Sequence, residues 1–199
     1  MADLNTNLNA TKHTLALTLR ELLKEVPFSK IRVTDICEKC NLNRKSFYYH
    51  FKDKYDLVHW IYDTEFFESA SQNVYENSYD FLQELCTYLY ENRSFYSKVF
   101  EGGGQNSFSD YFKELLYPVM KKRLMETVSE GEVQEFHVRF FTEGMAGAIQ
   151  NWILEKECIS PEQFLTMLKS CARLAASFCM IFPGDFLKGD ALVQHCNNN

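Results

Sequence analysis

The sequence has 199 residues, 46 % of them hydrophobic, and a formal net charge of −6. This length and composition indicate a globular protein with room for a small domain and a larger one. No stretch reaches the roughly 18 consecutive apolar residues that a membrane-spanning helix needs, and residues 1–10 lack the pattern of a secretory signal. We therefore expect a cytoplasmic protein with no membrane partner. Seven cysteines, an odd number, argue against a disulfide framework.

The charge is distributed unevenly along the chain. Residues 1–60 contain 10 lysines and arginines against 7 acidic residues, whereas residues 61–199 contain 11 against 20. Between residues 30 and 54 the balance is 7 basic to 3 acidic. Phosphate-binding surfaces are usually basic, and a basic segment within an acidic protein produces a local positive field. The asymmetry predicts a DNA-binding head on a body that avoids DNA.

Two helices are predicted before residue 41. Apolar residues recur at helical spacing from Leu15 to Val26 and predict a first helix that ends before Pro27. Thr34 is placed to cap a second helix of about seven residues, and its hydroxyl would lie beside free backbone N–H groups. This second helix would cross the DNA backbone, so Thr34 becomes a candidate phosphate contact.

Two further helices follow a polar turn. Asn43 can cap a third helix that runs from Arg44 to about His50 or Phe51. Asp53 and Asp56 resemble a capping box that opens a fourth helix. Because this fourth helix begins in the head and continues into the body, we expect it to act as the lever between the two.

The rest of the chain is predicted to be helical, since no period-2 alternation is long enough for a sheet. The glycine-rich residues 102–107 predict a loop between a helix that ends near Phe100 and one that begins near Phe108. We expect the latter helix to be interrupted at Pro118, and Gly131 to mark another boundary.

Two long helices are predicted in the last third of the chain. Apolar residues from Val133 describe one that ends near Glu157. Ser160-Pro161-Glu162-Gln163 reads as a capping box that opens the other, which Pro183-Gly184 would stop. Small residues on the first of these helices permit close helix approach, so the segments 132–157 and 161–181 are expected to form a homodimer interface.

The third helix carries the residues that point to function. At helical spacing Phe47 and Phe51 face inward, whereas Arg44, Lys45, Tyr48 and Tyr49 spread over the outward arc. Arginine and lysine donate to guanine edges or phosphates, and tyrosine hydroxyls reach phosphates. Ser46 can hydrogen-bond to either, and Lys52 and Lys54 extend the same footprint. The candidate DNA-binding residues are Thr34, Asn43, Arg44, Lys45, Ser46, Tyr48, Tyr49, His50, Lys52 and Lys54.

The segment VTDICEKCNLN at residues 33–43, followed by FYYHFKDK at residues 47–54, resembles the head of the TetR family. The resemblance covers residues 11–60. It implies an all-α fold, phosphate contact by Thr34, Tyr48, His50 and Lys52, and base contact by Arg44, Lys45, Ser46 and Tyr49.

The sequence departs from the family pattern at four positions. Cys37 and Cys40 stand where alanines are usual, Asn41 replaces the turn glycine, and Tyr55 stands where an acidic residue is common. Cysteine is small and apolar, and asparagine tolerates a left-handed backbone, so we expect the fold to be retained.

The C-terminal body resembles the family in architecture, in which a helical domain holds an effector pocket and its last two helices form the dimer interface. The run ENRSFY at residues 91–96 and the segment 144–152 also resemble a subset that includes dihydroxyacetone-kinase regulators, some of which activate transcription.

Several residues have plainer interpretations. Cys37-x-x-Cys40 has no second pair of ligands for zinc, so core packing is favoured over a metal site, with a redox switch as the remaining alternative. His50 is either a packed ring or a phosphate donor. The other histidines have no spacing for metal binding or catalysis. For the aromatic residues between 60 and 117, a role in the hydrophobic core is favoured over a role in a ligand pocket.

We therefore expect an all-α protein with a three-helix helix-turn-helix head in residues 1–53 and a helical ligand-binding and dimerisation domain in residues 54–199. The expected function is a homodimeric, ligand-responsive repressor on a near-palindromic DNA operator, with no catalytic site, cofactor or metal and an unidentified effector. The alternatives are a transcriptional activator of the same family and a ligand- or protein-binding module whose head no longer binds DNA.

Overall fold

The computed structural model describes residues 2–73, 75, 78–103, 107–127 and 133–179, and these residues form helices, turns and loops without a strand. The expected all-α class is confirmed. The helices are α1 (Ala2–Glu25), α2 (Val33–Lys39), α3 (Arg44–His50), α4 (Lys54–Tyr62), α5 (Glu68–Gln72), α6 (Ser78–Glu91), α7 (Arg93–Phe100), α8 (Phe108–Thr127), α9 (Glu135–Leu154) and α10 (Pro161–Cys179). In the described residues no helix is both long and apolar enough to cross a membrane.

The chain forms two compact units, Met1–Cys158 and Ile159–Asn199. The first unit contains α1 to α9 and the second contains α10. Within the first unit α1 packs against α7, and α4 packs against α8. The proposed division into a head of residues 1–53 and a body that follows stays a prediction.

The head is built on α1, which packs against α2 and α4, while α2 packs against α3. Its interior is formed by apolar side chains that are almost fully buried: Leu15, Leu19, Leu23, Phe28, Ile31, Ile36, Cys37, Phe47, Phe51 and Leu57. Burial of each large apolar side chain contributes about 1.5–3 kcal/mol. This core fixes the orientation of α3, whose inward face supplies two of the phenylalanines.

The start of α2 differs from the prediction. The helix begins at Val33, so Thr34 lies in its first turn and does not cap it. The carboxylate of Asp35 instead accepts a hydrogen bond from the backbone N–H of Arg32 at 2.8 Å and pairs with the Arg32 guanidinium at 2.8 Å. The side-chain hydrogen bond from Arg32 is the main reason that the pKa of Asp35 is lowered. The predicted length of seven residues is confirmed.

The two turns that flank α3 form as the sequence predicts. Asn41 has a φ of 57°, the left-handed conformation that asparagine tolerates. Asp53 caps α4 by accepting hydrogen bonds from the backbone N–H groups of Tyr55 and Asp56 at 2.8 and 2.9 Å. Asp56 accepts a hydrogen bond from the backbone N–H of Lys52 at 2.8 Å, whereas in the predicted capping box it would accept from that of Asp53. The hydrogen bonds of Asp53 and Asp56 therefore fix the connection between α3 and α4.

The fourth helix continues into the body, as predicted. The π-helical turn Asp63–Phe67 follows α4 without a break and leads directly into α5. We refer to residues Lys54–Gln72 as the connecting helix. A π-helical turn contains one extra residue per turn and often marks a functional position. Periodicity did not predict it.

Aromatic side chains form the core of the body around Tyr62. Its ring lies between 5.4 and 6.4 Å, centroid to centroid, from the rings of Phe66, Phe108 and Phe112. Burial raises the pKa of the Tyr62 hydroxyl well above its usual value, so the group stays neutral. These rings confirm that many of the aromatic residues after residue 60 are core residues.

The predicted interruption at Pro118 is wrong, because α8 continues through it to Thr127. A proline removes one backbone hydrogen bond, and the extensive packing of α8 along α9 supports the helix in its place. α9 ends at Leu154, three residues before the predicted end. The boundary predicted at Gly131 and the stop at Pro183-Gly184 lie outside the described residues, as do residues 132 and 180–181 of the predicted dimer segments.

α9 has two faces of different character. Val138, Thr142, Ala146, Ile149 and Ile153 are buried against the body. On the opposite side Phe136 and Phe140 are 70 % and 63 % exposed, and their rings stack at 6.3 Å. A Cβ atom added at Gly144 or Gly147 would meet no atom within 4 Å. The outward face is therefore both apolar and unobstructed within the first unit.

Candidate nucleic-acid interface

The orientation of α3 is set by its two phenylalanines. Phe47 is completely buried and Phe51, which follows the last residue of the helix, is 3 % exposed. Because residues four apart lie on one face of a helix, the remaining positions are turned toward solvent. The predicted inward face of α3 is confirmed.

The outward arc contains two cations and two phenols. Arg44 and Lys45 are exposed, and Tyr48 and Tyr49 are 51 % and 73 % exposed. The guanidinium of Arg44 lies 5.9 Å from the centre of the Tyr48 ring, a contact that keeps the two side chains on the same side of the helix. All four side chains can reach a ligand in front of the helix. Their contact with DNA stays a prediction.

The N-terminus of α3 is closed by Asn43. Its side-chain oxygen accepts hydrogen bonds from the backbone N–H of Ser46 at 2.8 Å and from the Ser46 hydroxyl at 3.3 Å. Removal of such a cap costs about 1 kcal/mol. Asn43 and Ser46 thus hold the first turn of the helix in place, beside the exposed Arg44 and Lys45.

His50 and Lys12 lie at the edge of the arc. His50 is half-buried at the end of α3, and burial lowers the pKa of its imidazole, with a further contribution from the nearby Lys12 ammonium. The Lys12 ammonium lies 5.9 Å and 5.6 Å from the ring centres of Phe51 and Trp60. Lys12 is not among the predicted DNA-binding residues, because the apolar spacing that predicts the first helix begins at Leu15.

Thr34 and Lys52 lie in the chain segments that precede and follow α3. Thr34 is half-exposed in the first turn of α2, and Lys52 is exposed between α3 and α4. The backbone N–H of Lys52 is occupied by Asp56, but its side chain extends into solvent. Both positions suit phosphate contacts that flank a helix in the major groove.

Lys54 does not belong with these residues. Its ammonium donates hydrogen bonds to the backbone oxygens of Phe28 and Ile31 at 2.7 and 2.8 Å, and to that of Ser29 at 3.4 Å. It also lies 4.6 Å from the centre of the Phe28 ring. An ammonium has three donors, and all three are engaged, so we correct its proposed role from phosphate contact to structural support of the 28–31 turn.

Cys37 in α2 and Cys40 directly after it have the environment of packed residues. Cys37 is buried, and desolvation raises the pKa of its thiol. The Cys40 thiol donates to the backbone oxygen of Ile36 at 3.1 Å. A raised pKa reduces the thiolate fraction that oxidation and metal binding require. In the part of the chain that is described, no group of three or more histidine, cysteine or acidic side chains is arranged to hold a metal ion.

Family comparisons agree with this geometry. Residues 18–61 match the family described as "Bacterial regulatory proteins, tetR family", and residues 76–173 match the "Transcriptional regulator C-terminal region". Together the two matches cover more than half of the chain. The chain belongs to the TetR family. These two matches confirm the sequence-based family assignment. Members of this family are DNA-binding transcriptional regulators and not enzymes.

One curated relative of this TetR-family chain is the HTH-type dhaKLM operon transcriptional activator DhaS from Lactococcus lactis subsp. lactis (strain IL1403). It is 31 % identical over 91 residues, which make up 45 % of this chain and 49 % of that protein. The chain thus matches about half of the length of this relative. The predicted resemblance of the body in particular to dihydroxyacetone-kinase regulators stays a prediction.

Solved structures have the same fold. A TetR transcriptional regulator from Streptococcus agalactiae 2603V aligns with a TM-score of 0.64 at 21 % identity, over 82 % of this chain and 96 % of that one. A putative TetR-family transcriptional regulator from Syntrophomonas wolfei str. Goettingen aligns with a TM-score of 0.61 at 15 % identity, over 85 % of this chain and 96 % of that one. The dihydroxyacetone kinase operon activator DhaS aligns with a TM-score of 0.57 at 21 % identity, over 82 % of this chain and 97 % of that one.

Proposed function

We propose that this TetR-family regulator acts in the cytoplasm as a homodimer that places the α3 helix of each protomer in the major groove of a near-palindromic operator, and that a small-molecule effector controls its affinity for DNA. The observation that carries the proposal is the arc of exposed Arg44, Lys45, Tyr48 and Tyr49 on a helix whose other face is fixed by two buried phenylalanines. The two recognition helices of such a dimer lie roughly 34–36 Å apart, or a multiple of this distance.

The outward face of α9 supports the dimer. Phe136 and Phe140 expose large apolar areas to solvent, and Gly144 and Gly147 leave room for a close approach by another helix. Exposed apolar patches of this kind mark interaction sites in soluble proteins. The second unit also presents apolar side chains, because Met167 and Leu174 on α10 are 59 % and 66 % exposed. We assign both helices to contacts with a second copy of the chain.

The connecting helix supports control by a ligand. It carries Asp53 at its cap, beside α3, and Glu65 in its π-helical turn, which is bonded to α1 and α6. A ligand that favours one arrangement of the body would change the separation of the two heads through this helix. A coupling of about 1–3 kcal/mol changes DNA affinity by roughly 5- to 150-fold.

The direction of regulation has two candidates. Repression is our sequence-based interpretation. Activation is favoured by the match to a relative that is itself named a transcriptional activator. A pair of reporters distinguishes them: an operator that overlaps the promoter lowers expression with either kind of DNA-binding protein, whereas an operator upstream of a weak promoter raises expression only with an activator.

DNA binding itself is tested by fluorescence anisotropy on an operator selected from random duplexes. We expect Arg44→Ala and Tyr48→Ala each to weaken binding about tenfold or more. Lys122→Ala is the matched control, because it removes an exposed cation from α8 and not from α3. This variant should bind the operator with wild-type affinity. Equal affinities for the three variants would overturn the assignment of α3 as the recognition helix.

The rival interpretation, a binding module with an inactive head, makes a different prediction. A protein with an inactive head should show no salt-dependent affinity for DNA of any sequence. A DNA-binding protein that contacts several phosphates loses affinity steeply as salt rises, because binding releases counterions. A titration of random duplex DNA at several salt concentrations separates the two interpretations before any operator is known.

A further inference from the structure

An apolar cavity of about 300 Å³ lies in the body between α6, α8 and α9. Six apolar side chains line it: Phe81, Leu82, Leu116, Val119, Met120 and Met145. Leu116 is buried, whereas the other five are only partly covered by the protein. An apolar ligand that enters this space removes apolar surface of these side chains from water. This transfer makes the free energy of ligand binding more favourable.

In the part of the lining that the structure describes, the polar residues are Tyr79 and Arg123. The Arg123 side chain is 56 % exposed, and its guanidinium is 3.8 Å from the carboxylate of Glu126. Because more than half of this side chain is exposed, a ligand in the cavity can approach its guanidinium from the solvent side. Among the described residues that line the cavity, Arg123 is the one that carries a charge. A single arginine beside an apolar cavity matches a ligand with an apolar body and one negative charge.

We propose that this cavity binds a small apolar carboxylic acid, with its hydrocarbon part among Leu116, Val119 and Met145 and its carboxylate on Arg123. This inference rests on the proposed control by an effector and names its chemical class. The volume lies at the lower end of the roughly 300–1,000 Å³ range of ligand pockets, which favours a medium-length chain. A dianion such as a phosphate monoester would leave one charge unbalanced next to Glu126.

The cavity is close to the two helices that the proposed control by a ligand involves, α9 and the connecting helix. Met145 belongs to α9, whose opposite face carries Phe136 and Phe140. Phe81 lies 5.9 Å, ring centre to ring centre, from Phe66 in the π-helical turn of the connecting helix. A ligand in the cavity therefore contacts the helix assigned to the dimer and is one ring away from the helix that carries the head.

The inference is tested by isothermal titration calorimetry of the full chain with hexanoate, octanoate, decanoate and octan-1-ol. We expect the affinity of the acids to rise about tenfold for each two methylene groups until the cavity is full. Arg123→Gln should weaken octanoate binding about fivefold and leave octan-1-ol binding unchanged, because only the acid uses the charge. Lys122→Gln, the neighbouring exposed cation, is the matched control and should change neither.

Two results would overturn the inference. One is an octanoate affinity that does not differ between Arg123→Gln and Lys122→Gln, and the other is an affinity that does not depend on chain length. Val119→Phe, which fills the cavity, provides a second variant and should abolish binding of both octanoate and octan-1-ol. If it unfolds, as judged by circular dichroism, the exposed Arg123→Gln variant still decides the outcome.

A DNA titration with and without octanoate separates this inference from the function on which it rests. Binding of octanoate with the expected variant pattern but with unchanged operator affinity supports the ligand class and contradicts control by this ligand. Tight operator binding without any octanoate binding overturns the inference and leaves the DNA-binding function in place.

Discussion

Arg20 in α1 and Glu65 in the π-helical turn form an ion pair, with 2.5 Å between the guanidinium nitrogen and the carboxylate oxygen. The same oxygen accepts a hydrogen bond from the hydroxyl of Tyr88 in α6 at 3.0 Å. The Tyr88 hydroxyl lies 2.7 Å from that of Tyr96 in α7. One carboxylate thus joins the first helix of the head, the connecting helix and the body.

A double-mutant cycle on Arg20→Met and Glu65→Gln should give a coupling energy of about 1 kcal/mol in urea unfolding, because these side chains are only 23 % and 40 % exposed and belong to a network. Lys24 and Glu21 form the matched control, since they are also paired but are 67 % and 54 % exposed. The cycle on Lys24→Met and Glu21→Gln should show no measurable coupling. Equal coupling in the two cycles would mean that the Arg20 pair behaves as an ordinary surface pair.

Lys54 and Lys52 are expected to have opposite phenotypes. Lys54→Met leaves the backbone oxygens of Phe28 and Ile31 without their donor, so it should lower the free energy of unfolding by about 2 kcal/mol. Lys52→Met removes an exposed cation and should leave stability unchanged, but it should reduce the slope of log affinity against log salt by about one. Urea unfolding and DNA titrations on both variants measure the two quantities. A stable Lys54→Met variant with a reduced salt slope would restore Lys54 to the DNA contacts.

Most of the head could be predicted from the sequence because its signals are local. Asn43 and Asp53 cap helices through their own side chains, and Phe47 and Phe51 reveal the inward face by their spacing alone. The start of α2 was missed because Arg32, an uncommon capping residue, is held by Asp35. The predicted start is displaced by two residues, from Arg32 to Thr34 as the cap, and this leaves α3 where it was expected.

The features that could not be predicted depend on tertiary contacts. Lys54 appeared to be an exposed cation, since its partners lie more than twenty residues earlier in the chain. Pro118 appeared to be a helix break, because the packing of α8 along α9 leaves no local signal. The cavity around Phe81 was likewise hidden, since core and cavity-lining aromatic residues have the same helical spacing.

Gly102 lies between the head and the body. A Cβ atom at this position would collide with the ring of Phe28 and would lie 3.0 Å from the backbone oxygen of Val99. Gly102→Ala should therefore displace the 28–31 turn or the loop after α7, and lower the free energy of unfolding by about 1–3 kcal/mol. The double variant Gly102→Ala, Phe28→Leu should lose less free energy of unfolding than the sum of the losses in the two single variants, because leucine leaves more room for the added Cβ atom. Strict additivity in urea unfolding would exclude the contact as the cause.

The outward face of α9 should control the oligomeric state. In a symmetric dimer each residue of the interface occurs twice, so loss of about 2 kcal/mol of apolar burial per copy in Phe140→Ser should raise the dimer dissociation constant by roughly a thousandfold. Leu17→Ser is the matched control, since Leu17 is 65 % exposed on α1. Sedimentation equilibrium should find a weakened dimer only for Phe140→Ser. If both variants match the wild type, the dimer uses another surface.

His59 should make stability depend on pH. Its ring stacks on Tyr111 at 4.0 Å, and burial lowers its pKa below 6.5, against the opposite effect of Asp56, Asp53, Asp63 and Glu114. As the pH falls below about 6.5, the unfolded chain takes up this proton before the folded protein does, so folding becomes less favourable.

His59→Phe keeps the stacked ring but cannot be protonated, and it should lose less stability than the wild type between about pH 7.5 and about pH 5.5 in urea unfolding. His50 has a lowered pKa for the same reason and contributes with the same sign, so His59→Phe should reduce the pH dependence without abolishing it. An equal loss of stability in the variant and the wild type would show that His59 takes up its proton at the same pH in the folded and unfolded states, and that its burial against Tyr111 carries no electrostatic cost.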